Sequence, residues 1–300
     1  MAAEPDELYT LRAQFWLGHY QMALDEGKSI ARRPMSPELK EEREAFVARC
    51  AIAMKDYSKV TSGETPVSST LPLQALALQA QYEALAASGD GAQTQSVILQ
   101  LQSMLGDGVS PLVQLIAANV FLQAGMKKEA LACVHNGSTL EQVALCAQIY
   151  ITLDRLDLAK QSLQQMRKMD EDSILTQVTS VYIALATGSS MASEASHTLN
   201  QLSEQYGPSP MLLNLMACAF MQAGKYSEAE SKLEQARSEF AATDADTLVN
   251  TIVALQYQQK PVGEYLIALK QHHPNHFLSQ GLDTVQGAFD REAIKYRVAA

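Results

Sequence analysis

The sequence predicts an all-α fold, a helical solenoid of about eight helix-pair units with a C-terminal cap. Three observations predict it. Apolar residues recur at helical spacing along most of the chain. The breaks between apolar runs return at a nearly constant interval. Strand signals are essentially absent, with no sustained apolar–polar alternation and no Asn-Gly turn between β-branched runs.

The clearest unit is NLMACAFMQAGKYSEAESKLEQA, Asn214 to Ala236. Before its Gly-Lys break, Leu213, Met216, Ala217 and Phe220 fall at i, i+3, i+4 and i+7, one face of a helix. After it, Tyr226, Ala229, Leu233 and Ala236 recur at steps of three and four, with Lys225, Glu228, Lys232 and Glu234 on the other face. Gly224 suits the helix end, where a left-handed backbone costs little without a side chain. The unit is helix, tight turn, helix.

Comparable breaks follow in order along the chain, at Gly18, Lys55, Gly89, Gly125, Asp154, Gly188, Gly224 and Lys260. The first step is 37 residues, stretched by a loop at Pro34 and Pro37; the next six are 34, 36, 29, 34, 36 and 36. TSGETPVSSTLP, residues 61–72, is polar with two prolines and predicts a long loop after the second unit. Gly106-Asp107-Gly108 is too short to cradle a phosphate and predicts a turn. YGPSP, Tyr206 to Pro210, separates two units, and HHPNHF ends the last clear one. The tail around 278–300 carries a further helix through Phe289, Ile294 and Tyr296, which caps a single solenoid domain spanning 1–300.

A period near 34 with a helix pair per unit resembles the tetratricopeptide repeat, whose pattern is W-x2-L-G-x2-Y, A-x3-F, then P. The Asn214 unit maps as Leu213, Met216, Ala217, Phe220, Ala229 and Leu233, with Ala241 where the closing proline belongs. Small residues at Ala217 and Ala229 let the paired helices approach. LIAANVFLQAGMKKEALACV matches through Ala118, Phe121, Gly125 and Ala130, and ALCAQIYITLDRLDLAKQSL through Ala147, Tyr150, Ala159 and Leu163. The expected fold is thus a tetratricopeptide-like right-handed helical solenoid, in which stacking buries apolar stripes that single units cannot bury.

Composition sets limits on function. Apolar residues are 47% of the chain, enough for a sizeable core and too many for a disordered chain. The formal charge of -10 repels phosphate backbones, so no nucleic-acid partner is expected. Cys50, Cys133, Cys146 and Cys218 form no Cys-x-x-Cys pair and lie in apolar or Ala-rich surroundings, as reduced core thiols in a cytosolic or nuclear protein do. MAAEPDELY is acidic and carries no signal-peptide pattern, and no run approaches 18 apolar residues. The Asn136-Gly137-Ser138 sequon is better read as a turn than as a glycosylation site.

Catalytic patterns are missing: no Gly-x-Ser-x-Gly elbow, Walker loop, dinucleotide fingerprint or His-Glu-x-x-His. Three of the six histidines, His272, His273 and His276, lie in HHPNH. A helix-ending loop is the better reading than a metal site, because Pro274 breaks the helix that would align them and no Cys or carboxylate completes a ligand set. Cys133 and Cys146 read as core thiols rather than a redox pair. No catalytic residue, metal or cofactor is expected.

A superhelix of this type lines its concave side with the first helix of each pair. The positions expected to face inward and bind a partner are Leu115, Asn119, Leu122 and Gln123 in one unit. In the next clear copy they are Asn214, Cys218, Met221 and Gln222, and in the last Asn250, Ala254, Tyr257 and Gln258. Amides donate and accept together, so they suit gripping a polypeptide main chain, while Leu122, Met221 and Tyr257 supply apolar area. The competing reading has Asn214 and Asn250 bonding neighbouring backbone. These positions are neutral, which disfavours a groove for acidic C-terminal peptides.

Four stretches in order, LYTLRAQFWLGHYQMALDE, SEQYGPSPMLLNLMACAFMQAGKYSEAESKLEQA, ADTLVNTIVALQYQQKP and HHPNHFLSQGLDTVQGAFDREAIKY, together resemble the coatomer epsilon subunit family. That resemblance implies a non-enzymatic subunit of the COPI coat, cytoplasmic and peripheral on Golgi membranes and vesicles, reaching the membrane only through the coat. It implies retrograde Golgi-to-endoplasmic-reticulum and intra-Golgi transport, with the C-terminal region of the coatomer alpha subunit as partner. The alternative is a general tetratricopeptide adaptor for short peptides; an enzyme or metal protein centred on HHPNH is the third reading.

Overall fold

In the computed structural model residues 6–61, 70–106, 108–240 and 243–296 are described. Among these the chain forms seventeen α-helices, two short 3₁₀ turns and no strand. The helices run α1 (Tyr9–Trp16), α2 (Tyr20–Ser29), α3 (Pro37–Ala53), α4 (Tyr57–Thr61), α5 (Leu71–Ser88), α6 (Gly91–Met104), α7 (Pro111–Gln123) and α8 (Lys127–Val134). They continue as α9 (Leu140–Thr152), α10 (Leu156–Met169), α11 (Ile174–Thr187), α12 (Ala192–Tyr206), α13 (Pro210–Gln222), α14 (Tyr226–Phe240), α15 (Ala245–Tyr257), α16 (Gly263–His272) and α17 (Phe277–Tyr296). These are eight successive pairs and one C-terminal helix. Of the loop expected at 61–72, Thr61 instead ends α4 and Leu71 and Pro72 open α5, while residues 62–69, like Asp107 and Ala241, lie outside the described residues.

Each pair turns on a single residue with positive φ: Gly18, Lys55, Gly89, Gly125, Asp154, Gly188, Gly224 and Gln259. Seven of these are the breaks read from the sequence. The eighth corrects one: Gln259, not Lys260, takes the left-handed backbone. A left-handed residue lets the chain leave one helix and enter the next within a few residues, as few as two at Gly89. Glycine does this without strain, whereas Lys55, Asp154 and Gln259 carry a side chain through it. At the other ends, Ser36, Ser110 and Ser209 each precede a proline and accept a hydrogen bond from the backbone N–H of Leu39, Leu112 and Leu212. Serine caps the exposed donors while proline occupies the first turn, where its missing N–H costs nothing.

The chain divides into two compact units, Met1–Thr198 and Leu199–Ala300. In the first, a core through α3 to α11 is centred on Leu76, Leu101, Ile116, Phe121 and Ile149, and a second cluster joins Leu8, Leu11, Ala23, Ile30 and Phe46. In the second, Ala217, Ala229, Leu233 and Ala254 pack at 0% exposure, so the α13–α14 crossing closes on small side chains. Leu248, Ile252 and Leu269 hold α15 to α16.

Candidate partner-binding site

The first unit brings together residues far apart in sequence. Trp16 at the end of α1, Arg49 on α3 and Glu141 in the first turn of α9 meet on one face. The Glu141 carboxylate accepts from Arg49 Nη2 at 2.7 Å and Nη1 at 3.1 Å, and from Trp16 Nε1 at 2.9 Å. The Arg49 guanidinium lies 4.5 Å from the Phe15 ring centroid and 4.7 Å from that of Phe46. A forked, charge-assisted pair fixes geometry as well as energy, and the aromatic faces add cation–π attraction. Burial works against ionising Glu141, but the charge and hydrogen bonds of Arg49, with the Trp16 donor and the Arg12 charge, hold it below the usual carboxylate range. Arg12 is itself engaged by Glu42 and Asp6.

Arg49 lines three hollows on this face. One, of about 670 Å³, is built from α1, α3 and the first turns of α5, α7 and α9. A second of about 320 Å³ contains Leu115, Asn119, Gln123, Gln79 and Glu83, and a third of about 130 Å³ contains Trp16, Asn119, Glu141 and Gln148. The expected inward residues Leu115, Asn119 and Gln123 therefore do line hollows. Leu115 is buried at their floor and the exposed Gln123 donates to Glu83 Oε1 at 3.3 Å. Leu122 is half-buried and packs against the core.

The second unit treats the expected residues differently. Asn214 is buried, and both its amide hydrogens are spent on the Pro210 carbonyl at 2.9 Å and Thr247 Oγ1 at 2.7 Å, while its oxygen accepts from Asn250 at 2.9 Å. Asn214 is thus a pin between α13 and α15. Ala254 is fully buried. Gln258 bonds the Tyr226 and Ala254 carbonyls and Glu230. Met221 packs on the small-residue core, and Cys218 and Gln222 are half-buried. Tyr257 alone is strongly exposed, at 66%, and stacks on Tyr226 with centroids 4.6 Å apart.

The sequence reading missed Trp16, Arg49 and Glu141. One signal was present: Arg49 stands alone inside the apolar run from Ala45 to Ala53, where an unpaired charge is costly. Its partner lies 92 residues away and no local pattern names it.

HHPNH ends α16, with His273 Nε2 donating to the Thr243 carbonyl at 2.8 Å. Among the described residues no group of three or more His, Cys, Asp or Glu is placed to hold a metal. The cysteines are unpaired, and burial pushes the thiols of Cys50, Cys133 and Cys218 up to about 12, 11 and 11. No helix of the described residues is long and apolar enough to cross a membrane.

Stacked helix pairs with left-handed turns and a hollowed face define a tetratricopeptide-like repeat protein. Solved structures with the same architecture include the APC/C hetero-tetramer Cut9–Hcn1, with a TM-score of 0.60 at 13% identity over 93% of this chain and 55% of that one. A tetratricopeptide repeat protein from Parabacteroides merdae matches with a TM-score of 0.51 at 14% identity, covering 93% and 95%. In sequence, residues 4–297 match the model of the coatomer epsilon subunit family. Coatomer subunit epsilon-2 of Arabidopsis thaliana is 35% identical over 97% of both chains, and coatomer subunit epsilon-1 of Oryza sativa subsp. japonica is 35% identical over 96% of this chain and 98% of that one. The chain belongs to the coatomer epsilon subunit family, whose members are subunits of the COPI vesicle coat.

Proposed function

We propose that this chain is a non-enzymatic structural subunit of the COPI coat in Golgi-to-endoplasmic-reticulum and intra-Golgi transport, and that it holds the C-terminal region of the coatomer alpha subunit. The family match across residues 4–297 carries the reading. The hollows around Asn119 and Gln123 in the first unit supply one gripping surface, and the exposed Tyr257 in the second supplies an apolar contact. It sits at Golgi membranes only through the rest of the coat. The buried Asn214 and Ala254 support this surface from behind rather than forming it.

The test is co-purification from cytosol with tagged wild-type and variant protein. Asn119→Arg and Tyr257→Glu change half-buried or exposed side chains, so the helical circular dichroism should persist. Loss of the other coatomer subunits, the alpha subunit among them, is expected. Undiminished recovery of those subunits with the double variant sinks the assignment of these surfaces, and failure of the wild-type chain to recover any of them sinks the function.

A further inference from the structure

The hollow of about 670 Å³ in the first unit has a distinctive chemistry. Its floor is apolar, formed by Phe46, Leu112, Leu115 and Leu140. Its rim along α3 is acidic, with Glu38, Glu41 and Glu42. Both cations that reach it are already committed: Arg12 to Asp6 and Glu42, and Arg49 to Glu141. Glu38 and Glu41 enter no ion pair among the described residues. Glu38 is held below the usual carboxylate range by hydrogen bonds from its own backbone N–H and the Ser36 hydroxyl, so it stays charged. The volume lies within the roughly 300–1,000 Å³ of pockets that enclose a drug-sized ligand, so it has room for a few side chains.

We infer that this hollow receives a partner segment of apolar side chains flanked by lysine or arginine. The inference rests on the proposed role of the first unit as a gripping surface and names the chemistry of what it grips. Apolar groups fill the floor. The long aliphatic stems of Lys or Arg lie along its edge and place their charges at Glu38 and Glu41, the rim carboxylates that pair with no cation among the described residues. An acidic segment meets uncompensated repulsion at the same place. The neutral amides read from the sequence describe the neighbouring hollow at Asn119; the rim on α3 is what selects charge.

The experiment uses the full chain and three fluorescein-labelled peptides of equal length, built from Leu and Phe with Lys, from Leu and Phe with Glu, and from Ser with Lys. Binding is read by anisotropy and by the emission of Trp16, the one tryptophan in the chain and a lining residue of the hollow. The Leu–Phe–Lys peptide should bind at least tenfold tighter than the other two and alter Trp16 emission. Glu38→Gln with Glu41→Gln should weaken it five- to tenfold, more at low salt, because rim charges are screened. Glu129→Gln with Glu171→Gln removes the same charge elsewhere in the unit and should change it less than twofold. No binding by any peptide, equal binding of basic and acidic peptides, or equal loss with both double variants overturns the inference. Coatomer recovery by the wild-type chain is scored separately, beside its binding of the basic peptide. If basic peptide binding fails while coatomer subunits are still recovered, only the peptide chemistry is wrong. If basic peptide binding holds but no coatomer is recovered, the proposed function is wrong.

Discussion

Replacing Glu141 by Gln should loosen the first unit more than any exposed ion pair does. The carboxylate takes three hydrogen bonds, two from Arg49 and one from Trp16, and the Arg49 and Glu141 side chains are only 14% and 21% exposed. Gln keeps the volume but leaves the Arg49 charge unpaired against its own amide hydrogens. Breaking a fully buried pair costs about 3–5 kcal/mol and an exposed one at most about 1 kcal/mol. At this exposure a loss of about 2–3 kcal/mol is expected, which for a unit of this size lowers Tm by about 4–12 °C. Asp157→Asn, at a pair with both side chains more than half exposed and screened by water, is the control and should lower Tm far less than Glu141→Gln does.

The assay is thermal unfolding followed by far-ultraviolet circular dichroism and by Trp16 emission. Glu141 has a depressed folded-state pKa, so its contribution is fully present above the unfolded carboxylate value of about 4.3 and is lost as pH falls through the lower folded value. The gap between wild type and Glu141→Gln should therefore be constant from about pH 5.5 to 8 and close in more acid solution. A variant that melts within 1 °C of wild type with unchanged Trp16 emission would refute the idea that this clasp ties α1 and α3 to α9.

Other outcomes follow from particular contacts. Asn214→Ala takes away the acceptor of the Asn250 amide and leaves the Thr247 hydroxyl with only its bond to Asp244, so it should cost about 1–3 kcal/mol in urea unfolding, with a less than additive loss when combined with Asn250→Ala. Gly137→Ala drives a methyl into the Gln142 side chain and within 3.0 Å of the Val134 carbonyl, so it should destabilise by about 1–3 kcal/mol and disturb the Thr139–Gln142 capping box. With thiols at about 11, Cys133 and Cys218 should react with a thiolate-selective reagent at pH 8 about a hundredfold or more slower in the native protein than after unfolding. Native rates within tenfold of the unfolded ones would contradict those protonation states.

Much of the fold was legible because its punctuation is local. A hairpin turn needs a left-handed residue, and seven of the eight could be found from Gly, Lys or Asp between two apolar stripes. Ser-Pro marks three helix starts for an equally local reason, a side-chain cap next to a rigid first residue. The candidate site was less legible. Asn119 and Gln123 line a hollow as their register implies, yet Asn214 in the equivalent copy is consumed by α15, because Thr247 and Asn250 stand opposite it. Helix register places a side chain on a face; it does not say what the neighbouring helix offers that side chain.

By itself the sequence determined the helix pairs, their turns, the small-residue crossing at Ala217 and Ala229, and the family. The first three depend on residues within one or two repeats, where backbone preference and apolar spacing act directly, whereas the family resemblance rests on four stretches taken in order along the chain. Only the tertiary structure decided that Arg49 meets Glu141 and Trp16, that Glu38 and Glu41 are left uncompensated above an apolar floor, and that Asn214 is spent inside. Those outcomes depend on which side chains packing sets opposite one another, 33 and 36 positions apart at Asn214 and 92 and 125 at Glu141, and local spacing carries no trace of them.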